Sequence, residues 1–240
     1  MSRGRGGPEQ PARVGVAVPA AGSGERMGGV RKAFLELAGE PVLLRALRPF
    51  LDDPRVVSVA VALPPDQAAS PPEWLRVLAP RVVAVPGGAT RSRSVRAAIA
   101  ALPAELDVIA VHDAARPLVT SEVVGACIDL ALEGFGVVAG CPAVDTLKRV
   151  GPDGAVIDTP DRASLWHAQT PQAFPARVLR AAYADATVEG TDDAALVERT
   201  GSGTVVRMVD AGPSNLKVTR PLDVTIAEAL LRSREAREEG

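Results

Sequence analysis

The chain has no marked excess of charge of either sign. Among its 240 residues, 27 Lys and Arg side chains oppose 29 Asp and Glu side chains, which leaves a formal net charge of −2. The molecule as a whole therefore has too weak a field to recruit nucleic acid or an anionic membrane. We expect neither as a partner, and any bound anion must be held by local groups.

Cysteine is almost absent. Cys127 and Cys141 are the two examples, too few and too widely separated for a zinc-binding spacing or a disulfide framework. We interpret both as semi-buried thiols, which favours a reducing compartment.

Long apolar runs are also missing. No uninterrupted run approaches the roughly 18 residues that span a bilayer. Residues 1–13 are rich in Gly, Pro and Arg and contain no apolar h-region. We predict a short disordered tail over residues 1–13 of a cytoplasmic protein.

Lysine is scarce, because arginine supplies most of the positive charge. Only Lys32, Lys148 and Lys217 are lysines. Ammonium and guanidinium groups are not equivalent donors. The remaining lysines are therefore predicted to mark positions that need a compact ammonium group.

Apolar, β-branched runs alternate with helical patterns along most of the chain, and the apolar content of 47% permits one large core. Strands are predicted over residues 14–18, 56–63, 81–85, 108–111, 137–140 and 204–209. Helices are predicted over residues 41–51, 91–102, 120–132, 175–186, 193–199 and 221–233, with Thr90 as the cap of the second helix. This alternation predicts one α/β domain over residues 14–233, with a Rossmann-like, mostly parallel sheet covered by helices on both faces, followed by a tail over residues 234–240.

One segment breaks the alternation. Residues 144–150 and 155–159 are short extended runs, joined by Gly151-Pro152-Asp153-Gly154, a linker of hairpin length. We predict a β-arm over about residues 144–162. The pattern leaves open whether this arm has a function or is a surface excursion without one.

The first predicted strand runs into a loop of small residues. Backbone amides in such a loop can approach phosphate oxygens closely, and a following Arg or Lys can neutralise their charge. The third glycine of the dinucleotide fingerprint and the Gly-Lys-Ser/Thr of a P-loop are both missing, which speaks against those two sites. The loop otherwise predicts a triphosphate site, although a simple tight turn remains the alternative. The candidate residues are Pro19, Ala20, Ala21, Gly22, Ser23 and Gly24, with Arg26 and Lys32 as cations.

An acidic residue follows the predicted strand 108–111. Open α/β sheets bind ligands at the carboxyl ends of their strands, and Asp113 lies there between His112 and Ala114. Mg²⁺ needs only one or two carboxylates when phosphate oxygens complete its shell. We predict Asp113 as a metal ligand, with a helix cap or a partner for Arg116 as the alternative, and His112 as structural.

Two further segments are expected at the same edge of the sheet. Residues 86–94 follow a strand, open a helix and offer small residues against which a base could lie. Residues 215–219 follow the last predicted strand and supply the ammonium of Lys217. A serine hydrolase is excluded, because no G-x-S-x-G elbow occurs.

Six motifs in this order together resemble the 2-C-methyl-D-erythritol 4-phosphate cytidylyltransferases, over about residues 14–231. They are PAAGSGERM from Pro19, GGxxRxxSV from Gly87, VHDAARP from Val111, DTxKR from Asp145, LWHAQTPQ from Leu165 and NLKVT from Asn215.

The resemblance implies a reaction. CMP would pass from CTP to 2-C-methyl-D-erythritol 4-phosphate, giving 4-CDP-2-C-methyl-D-erythritol and pyrophosphate in the non-mevalonate isoprenoid pathway. It implies that Arg26 and Lys32 stabilise charge on the α-phosphate, that Asp113 binds Mg²⁺ beside the ribose, and that Gly87 and Ser94 read cytosine. Other divalent cations could substitute for Mg²⁺.

The resemblance also assigns the remaining site residues. The small-residue loop and Ala114 would contact the nucleotide. Thr146, Arg162 and Lys217 would hold and position the methylerythritol phosphate, and Arg116 and Thr170 would contribute to that site. The β-arm would embrace a second subunit, so we expect a homodimer whose sites combine Lys32 of one chain with Arg162 of the other.

Two alternatives remain at this point. The chain could be a cytidylyltransferase for another polyol phosphate, such as ribitol 5-phosphate. It could also be a catalytically silent nucleotide-binding protein, which would have less reason to combine Arg26, Lys32, Asp113 and Lys217.

Overall fold

The computed structural model describes residues 11–22, 31–187 and 189–238. Most of the predicted N-terminal tail, residues 1–10, lies outside this part. The backbone N–H of Arg13 donates to Asp107 Oδ2 at 2.7 Å, so the described end of that segment is held against the body of the protein. Among the described helices, none is both long and apolar enough to cross a bilayer.

Within the described ranges the chain forms eleven β-strands and eight α-helices. The strands are β1 (Val14–Pro19), β2 (Glu36–Leu37), β3 (Glu40–Pro41), β4 (Val56–Leu63), β5 (Val82–Pro86), β6 (Val108–Val111), β7 (Gly136–Pro142), β8 (Arg149–Val150), β9 (Val156–Asp158), β10 (Trp166–Pro175) and β11 (Val206–Asp210). The helices are α1 (Val42–Leu51), α2 (Pro65–Ala69), α3 (Glu73–Arg76), α4 (Arg91–Ala101), α5 (Ser121–Leu132), α6 (Ala176–Ala182), α7 (Asp193–Arg199) and α8 (Pro221–Glu238).

Seven strands form the central sheet in the order β11-β7-β10-β6-β1-β4-β5. Strand β10 runs antiparallel to β6 and β7, whereas the other neighbouring pairs are parallel. The predicted Rossmann-like, mostly parallel sheet is thus confirmed. As a consequence, the carboxyl ends of all strands except β10 meet at one edge.

Helices cover both faces of this sheet. Val16 and Val18 of β1 face an apolar cluster with α1 and α5, whereas Ala17 faces a second cluster with α4, α6 and α7. Because side chains alternate along a strand, a strand buried on both faces must be apolar at nearly every position. This explains why β1 and β4 read as almost continuous apolar runs, with Ser58 as the polar residue of β4.

Side-chain caps mark the starts of α4 and α5, and two other helices end at positions that differ from the predicted ones. Thr90 and Thr120 accept hydrogen bonds from Arg93 N–H and Val123 N–H and so cap α4 and α5. The helix predicted over residues 175–186 was too long, because α6 ends at Ala182 and turns follow. The last helix extends to Glu238 rather than 233, so the predicted C-terminal tail begins inside a helix.

The predicted arm is a hairpin of β8 and β9, which pair antiparallel. Its strands are shorter than the predicted runs. It leaves the sheet between β7 and β10, at the edge where the parallel strands end. Its apolar side chains face solvent, with Val144 76% and Ile157 65% exposed. This segment therefore has no core of its own within the described chain.

Candidate active site

A cleft of about 720 Å³ opens at the carboxyl ends of β1 and β6. Two cations and one acid that the sequence singled out line it together, namely Lys32, Lys217 and Asp113. Small residues from the loop after β1 and from the segment after β5 complete its walls. The lining residues that the sequence predicted are Pro19, Ala20, Ala21, Gly22, Lys32, Ser94, Asp113, Ala114 and Lys217.

Gly87 brings the β1 and β5 loops together. A Cβ atom at this position would lie 2.4 Å from the Cβ of Ala21, and the Gly87 N–H donates to Leu63 O at 2.7 Å. Only glycine permits this approach. Gly87 is absent from the cleft lining and supports the wall from behind.

The Ser94 hydroxyl closes the turn that follows. It accepts from Gly88 N–H at 3.1 Å and donates to Thr90 O at 3.0 Å. The segment between β5 and α4 is consequently fixed by its own hydrogen bonds, and its residues Gly88 and Ala89 line the cleft.

Three cations surround the Asp113 carboxylate. Lys217 Nζ lies 2.7 Å from Oδ2, Arg91 Nε 3.1 Å from Oδ1, and Arg116 Nε 3.9 Å from Oδ2. Burial would raise the pKa of Asp113, but the charges of Arg91, Lys217 and Arg116 outweigh it and hold the pKa well below its usual value. Asp113 is therefore an anion throughout the neutral range.

His112 is structural, as expected. It is fully buried, with Nε2 3.2 Å from Arg116 O and Nδ1 3.2 Å from Thr170 Oγ1. Burial lowers the pKa of His112 to about 4, so the ring is neutral. A carbonyl can only accept, so the network assigns the proton to Nε2 and leaves Nδ1 to accept from the Thr170 hydroxyl.

Thr170 and Arg116, both predicted to bind substrate, make hydrogen bonds inside the protein. Thr170 Oγ1 accepts from the Asp113 N–H at 3.0 Å. Arg116 Nη1 donates to Asn215 O at 2.7 Å, and Val218 N–H donates to Ala115 O at 2.8 Å. These bonds tie the Lys217 segment to the Asp113 segment and so hold the two segments side by side.

Other predicted site residues lie elsewhere. Thr146 and Arg162 belong to the exposed arm and are absent from the cleft lining of the single chain. Arg162 Nη1 donates to Val144 O at 2.6 Å. Ser23, Gly24 and Arg26 lie outside the described residues.

The sequence does not predict the contacts of Arg91, which lies inside the GGxxRxxSV motif. In the structure it joins Asp113 to Asp193, a buried acid of α7. The signal available in the sequence was the acidic pair Asp192-Asp193 at a helix start, which capping alone would explain.

The donor set around Asp113 fits a divalent cation that phosphates help to hold. Within the described residues, no group of three or more His, Cys, Asp or Glu side chains could bind a metal. A single carboxylate with about four lone-pair sites can accept from Lys217 and Arg91 and still face a cation. Such a site suits an ion whose other ligands are phosphate oxygens and water.

A mostly parallel sheet with a small-residue loop, two lysines and one acid at its carboxyl edge defines a nucleotidyltransferase of the α/β class. The sequence matches the model of the IspD family, 2-C-methyl-D-erythritol 4-phosphate cytidylyltransferase, over residues 14–233. The chain belongs to this family.

Individual relatives agree. A 2-C-methyl-D-erythritol 4-phosphate cytidylyltransferase of Symbiobacterium thermophilum is 46% identical over 99% of this chain and 100% of its own length. One from Streptomyces coelicolor is 44% identical over 93% of this chain and 87% of its own. The crystal structure of the Thermus thermophilus cytidylyltransferase superposes with a TM-score of 0.74 at 34% identity, covering 93% of this chain and 100% of that one. A 4-diphosphocytidyl-2C-methyl-D-erythritol synthase from Anaerococcus prevotii gives a TM-score of 0.82 at 26% identity, covering 92% and 97%.

Proposed function

We propose that this cleft transfers CMP from CTP to 2-C-methyl-D-erythritol 4-phosphate and releases pyrophosphate. The observation that supports it most directly is the meeting of Lys32, Lys217 and Asp113 in one cleft beside the small-residue loop. The family to which the chain belongs supplies the identity of the two substrates.

The reaction brings two polyanions together, so charge cancellation and alignment dominate catalysis. A phosphate oxygen of the acceptor forms a bond to the α-phosphorus of CTP, and the bond from that phosphorus to the β-phosphate bridging oxygen breaks. Lys32, together with Arg26, would stabilise the charge that develops on the α-phosphate. Lys217 would align the acceptor.

No general base is required. A phosphate monoester has a second pKa of about 6 and is already ionised near neutrality. The neutral and fully buried His112 does not line the cleft, so it takes no part in proton transfer in this scheme.

The nucleotide would lie along the loops after β1 and β5. Main-chain groups of residues 19–24 would contact the phosphates, and Asp113 with Ala114 would lie beside the ribose. The wall held by Gly87 and Ser94 would accept the cytosine through main-chain groups.

We propose Mg²⁺ as the metal, held by Asp113 and by the phosphates of CTP. When bound, the ion would neutralise the triphosphate and the leaving pyrophosphate. Asp113 suits this role because it stays ionised and because its Lys217 partner is 39% exposed and can turn toward a phosphate.

A homodimer through the arm is the form that we propose for the active protein. The arm exposes Val144, Val150, Val156 and Ile157, and an isolated two-stranded hairpin is at best marginally stable in water. Packing against a second copy would cover these side chains. Thr146 and Arg162 of that arm would then hold the methylerythritol phosphate in the partner's cleft.

A cytoplasmic location completes the proposal. Cys127 and Cys141 are both free thiols, and burial raises the pKa of the Cys127 thiol to about 12. Buried thiols of this kind are inert and suit a reducing compartment.

Pyrophosphate release tests the reaction. Purified protein with CTP, Mg²⁺ and 2-C-methyl-D-erythritol 4-phosphate should release pyrophosphate and form the CDP-linked product. Ribitol 5-phosphate at the same concentration should react much more slowly, and Asp113→Asn should lower turnover strongly while leaving a measurable residual rate. Folded wild-type protein that releases no pyrophosphate would contradict the proposal. A higher kcat/KM for ribitol 5-phosphate would mean that this phosphate, and not 2-C-methyl-D-erythritol 4-phosphate, is the acceptor.

A further inference from the structure

Arg91 is a cation of the cleft for which the proposed reaction has no use. It is the first residue of α4, and its Nε donates to Asp113 Oδ1 at 3.1 Å. Its two terminal nitrogens donate to Asp193, Nη1 to Oδ1 at 3.2 Å and Nη2 to Oδ2 at 2.8 Å. One guanidinium therefore joins two carboxylates, of which only Asp113 lines the cleft.

Asp193 holds the other end of this link inside the protein. Its side chain is 0% exposed, and Oδ1 also accepts the Tyr183 hydroxyl. Its backbone N–H donates to Gln172 Oε1 at 3.1 Å. A buried carboxylate is costly unless it is paired and hydrogen-bonded, and the bidentate contact with Arg91 meets that need.

The geometry of the contact requires arginine. The guanidinium presents a planar fork to Asp193 while Nε points to Asp113, and a lysine could not reach both with fixed directions. Three of its N–H donors are engaged, so the Arg91 side chain is held more firmly than Lys217, which makes one contact with Asp113 at 2.7 Å.

Arg91 and Lys217, two of the cations beside Asp113, thus behave differently during the reaction. In the proposed function Lys217 turns to the acceptor phosphate and leaves the carboxylate. Arg91, bound to a buried acid, stays in place. We propose that Arg91 is a positioning residue, fixed by Asp193 and Tyr183, which holds Asp113 in its working orientation while Lys217 engages the acceptor; this inference rests on the proposed function.

Three substitutions test the link. Arg91→Lys and Asp193→Asn should each lower kcat about tenfold or more, since a small misplacement of a positioned group has effects of this order. Tyr183→Phe should act in the same direction by about two- to threefold, because it removes one hydrogen bond of Asp193. KM for CTP should stay within about twofold in all three.

Arg93→Gln is the matched control. Arg93 lies on the same helix, is exposed, and has its Nε 3.7 Å from Glu189 Oε1. It should keep the wild-type kcat. Loss of kcat in this control equal to that of Arg91→Lys would assign the effect to general loosening of α4 and overturn the proposal.

A double-mutant cycle shows whether Arg91 acts through Asp113. In an Asp113→Asn background, Arg91→Lys should cause no further loss, because the group that it positions is gone. Additive losses would mean that Arg91 contacts the substrate directly, and would overturn the positioning role. Wild-type turnover of the single variant Arg91→Lys would also overturn it.

A measurement without turnover separates this proposal from the reaction itself. In crystal structures without substrates, the Asp113 carboxylate should turn away from its wild-type orientation in Arg91→Gln and in Asp193→Asn. That result together with inactive wild-type protein would support the positioning role and contradict the proposed function. Active wild-type protein whose Asp113 carboxylate is unmoved in Arg91→Gln would contradict the positioning role alone.

Discussion

The three lysines of the chain occupy different environments. Lys32 and Lys217 line the cleft, whereas Lys148 is exposed on the arm, where its Nζ donates to Thr159 Oγ1 at 2.7 Å. The sequence argument that lysine marks a need for a compact ammonium can therefore be tested separately at a cleft position and at an arm position.

We predict that Lys32→Ala costs about 3 kcal/mol or more in activation free energy, by analogy with the loss of one donor that stabilises a transition state. Lys32→Arg should recover only part of it, because a guanidinium is larger and directs its donors differently. Steady-state kcat/KM for both variants measures this, and Lys148→Arg is the comparison at a lysine outside the cleft. Full activity of Lys32→Arg would show that any cation suffices.

His112 gives the folded protein a dependence on pH. Burial lowers its pKa from 6.5 to about 4 in the folded state. As pH falls below 6.5, the unfolded chain binds a proton that the folded chain does not bind. The free energy of unfolding should therefore decrease, by roughly 3 kcal/mol in all once pH has passed below 4.

Urea unfolding at pH 7.5 and pH 5.0 measures most of that change. The wild-type free energy of unfolding should drop more between these values than that of His112→Asn, by about 2 kcal/mol. An equal pH dependence in wild type and His112→Asn would contradict a neutral buried ring.

At the scale of elements, the approach of the two cleft loops depends on Gly87. In Gly87→Ala the new Cβ would lie 2.4 Å from Ala21 Cβ, so the loops must separate. Overpacking of this kind costs about 1–3 kcal/mol, and 1.4 kcal/mol equals a factor of ten in affinity. We predict that the Kd for CTP, measured by calorimetry, rises about tenfold.

Gly125 of α5 is the control position for this substitution. A Cβ there would meet only Arg55 Nη2, at 3.9 Å, and alanine is the better helix former. Gly125→Ala should leave the Kd for CTP unchanged. Unchanged affinity in Gly87→Ala as well would show that the loops have more freedom than their packing suggests.

The elements that sequence reasoning found are those with one dominant physical cause. Strands β1, β4 and β6 are buried on both faces and stand out as apolar runs, and Thr90 and Thr120 mark helix starts by capping. Strand β10 was missed because Gln169, Thr170 and Gln172, which are buried, interrupt its pattern. Their polar atoms are satisfied by partners distant in sequence, such as Asp192 and Asn215, and local patterns cannot reveal these.

The same limit applies to the cleft. Asp113, Lys32 and Lys217 could be predicted because each occurs in a motif at the end of a strand. The link from Arg91 to Asp193 joins residues 102 positions apart and depends on how α4 and α7 lie against the sheet. Contacts between the N-terminal and C-terminal halves of the chain thus depend on the tertiary packing, which local sequence patterns do not reveal.

At the scale of the whole molecule, the cleft and the start of the arm lie at the same edge of the sheet. The cleft lies at the ends of β1 and β6, and the arm begins after β7, which runs parallel to them. The arm also has exposed apolar side chains and two predicted substrate-binding residues that do not reach the cleft of their own chain. A site completed by a second copy would explain all three features.

Subunit mixing tests that arrangement. Lys32→Ala and Arg162→Ala should each be nearly inactive alone, because every dimer site then lacks one residue. In a mixed dimer, one site receives an intact Lys32 and an intact Arg162, and the other carries both lesions. Random pairing makes half of the dimers mixed, so co-expression or joint refolding should restore about a quarter of wild-type activity.

A Lys32→Ala and Asp113→Asn mixture is the control, since both residues line the cleft of one chain and every site would keep a lesion. If the Lys32→Ala and Arg162→Ala mixture is no more active than this control, each site is built from a single chain and the arm must serve another purpose.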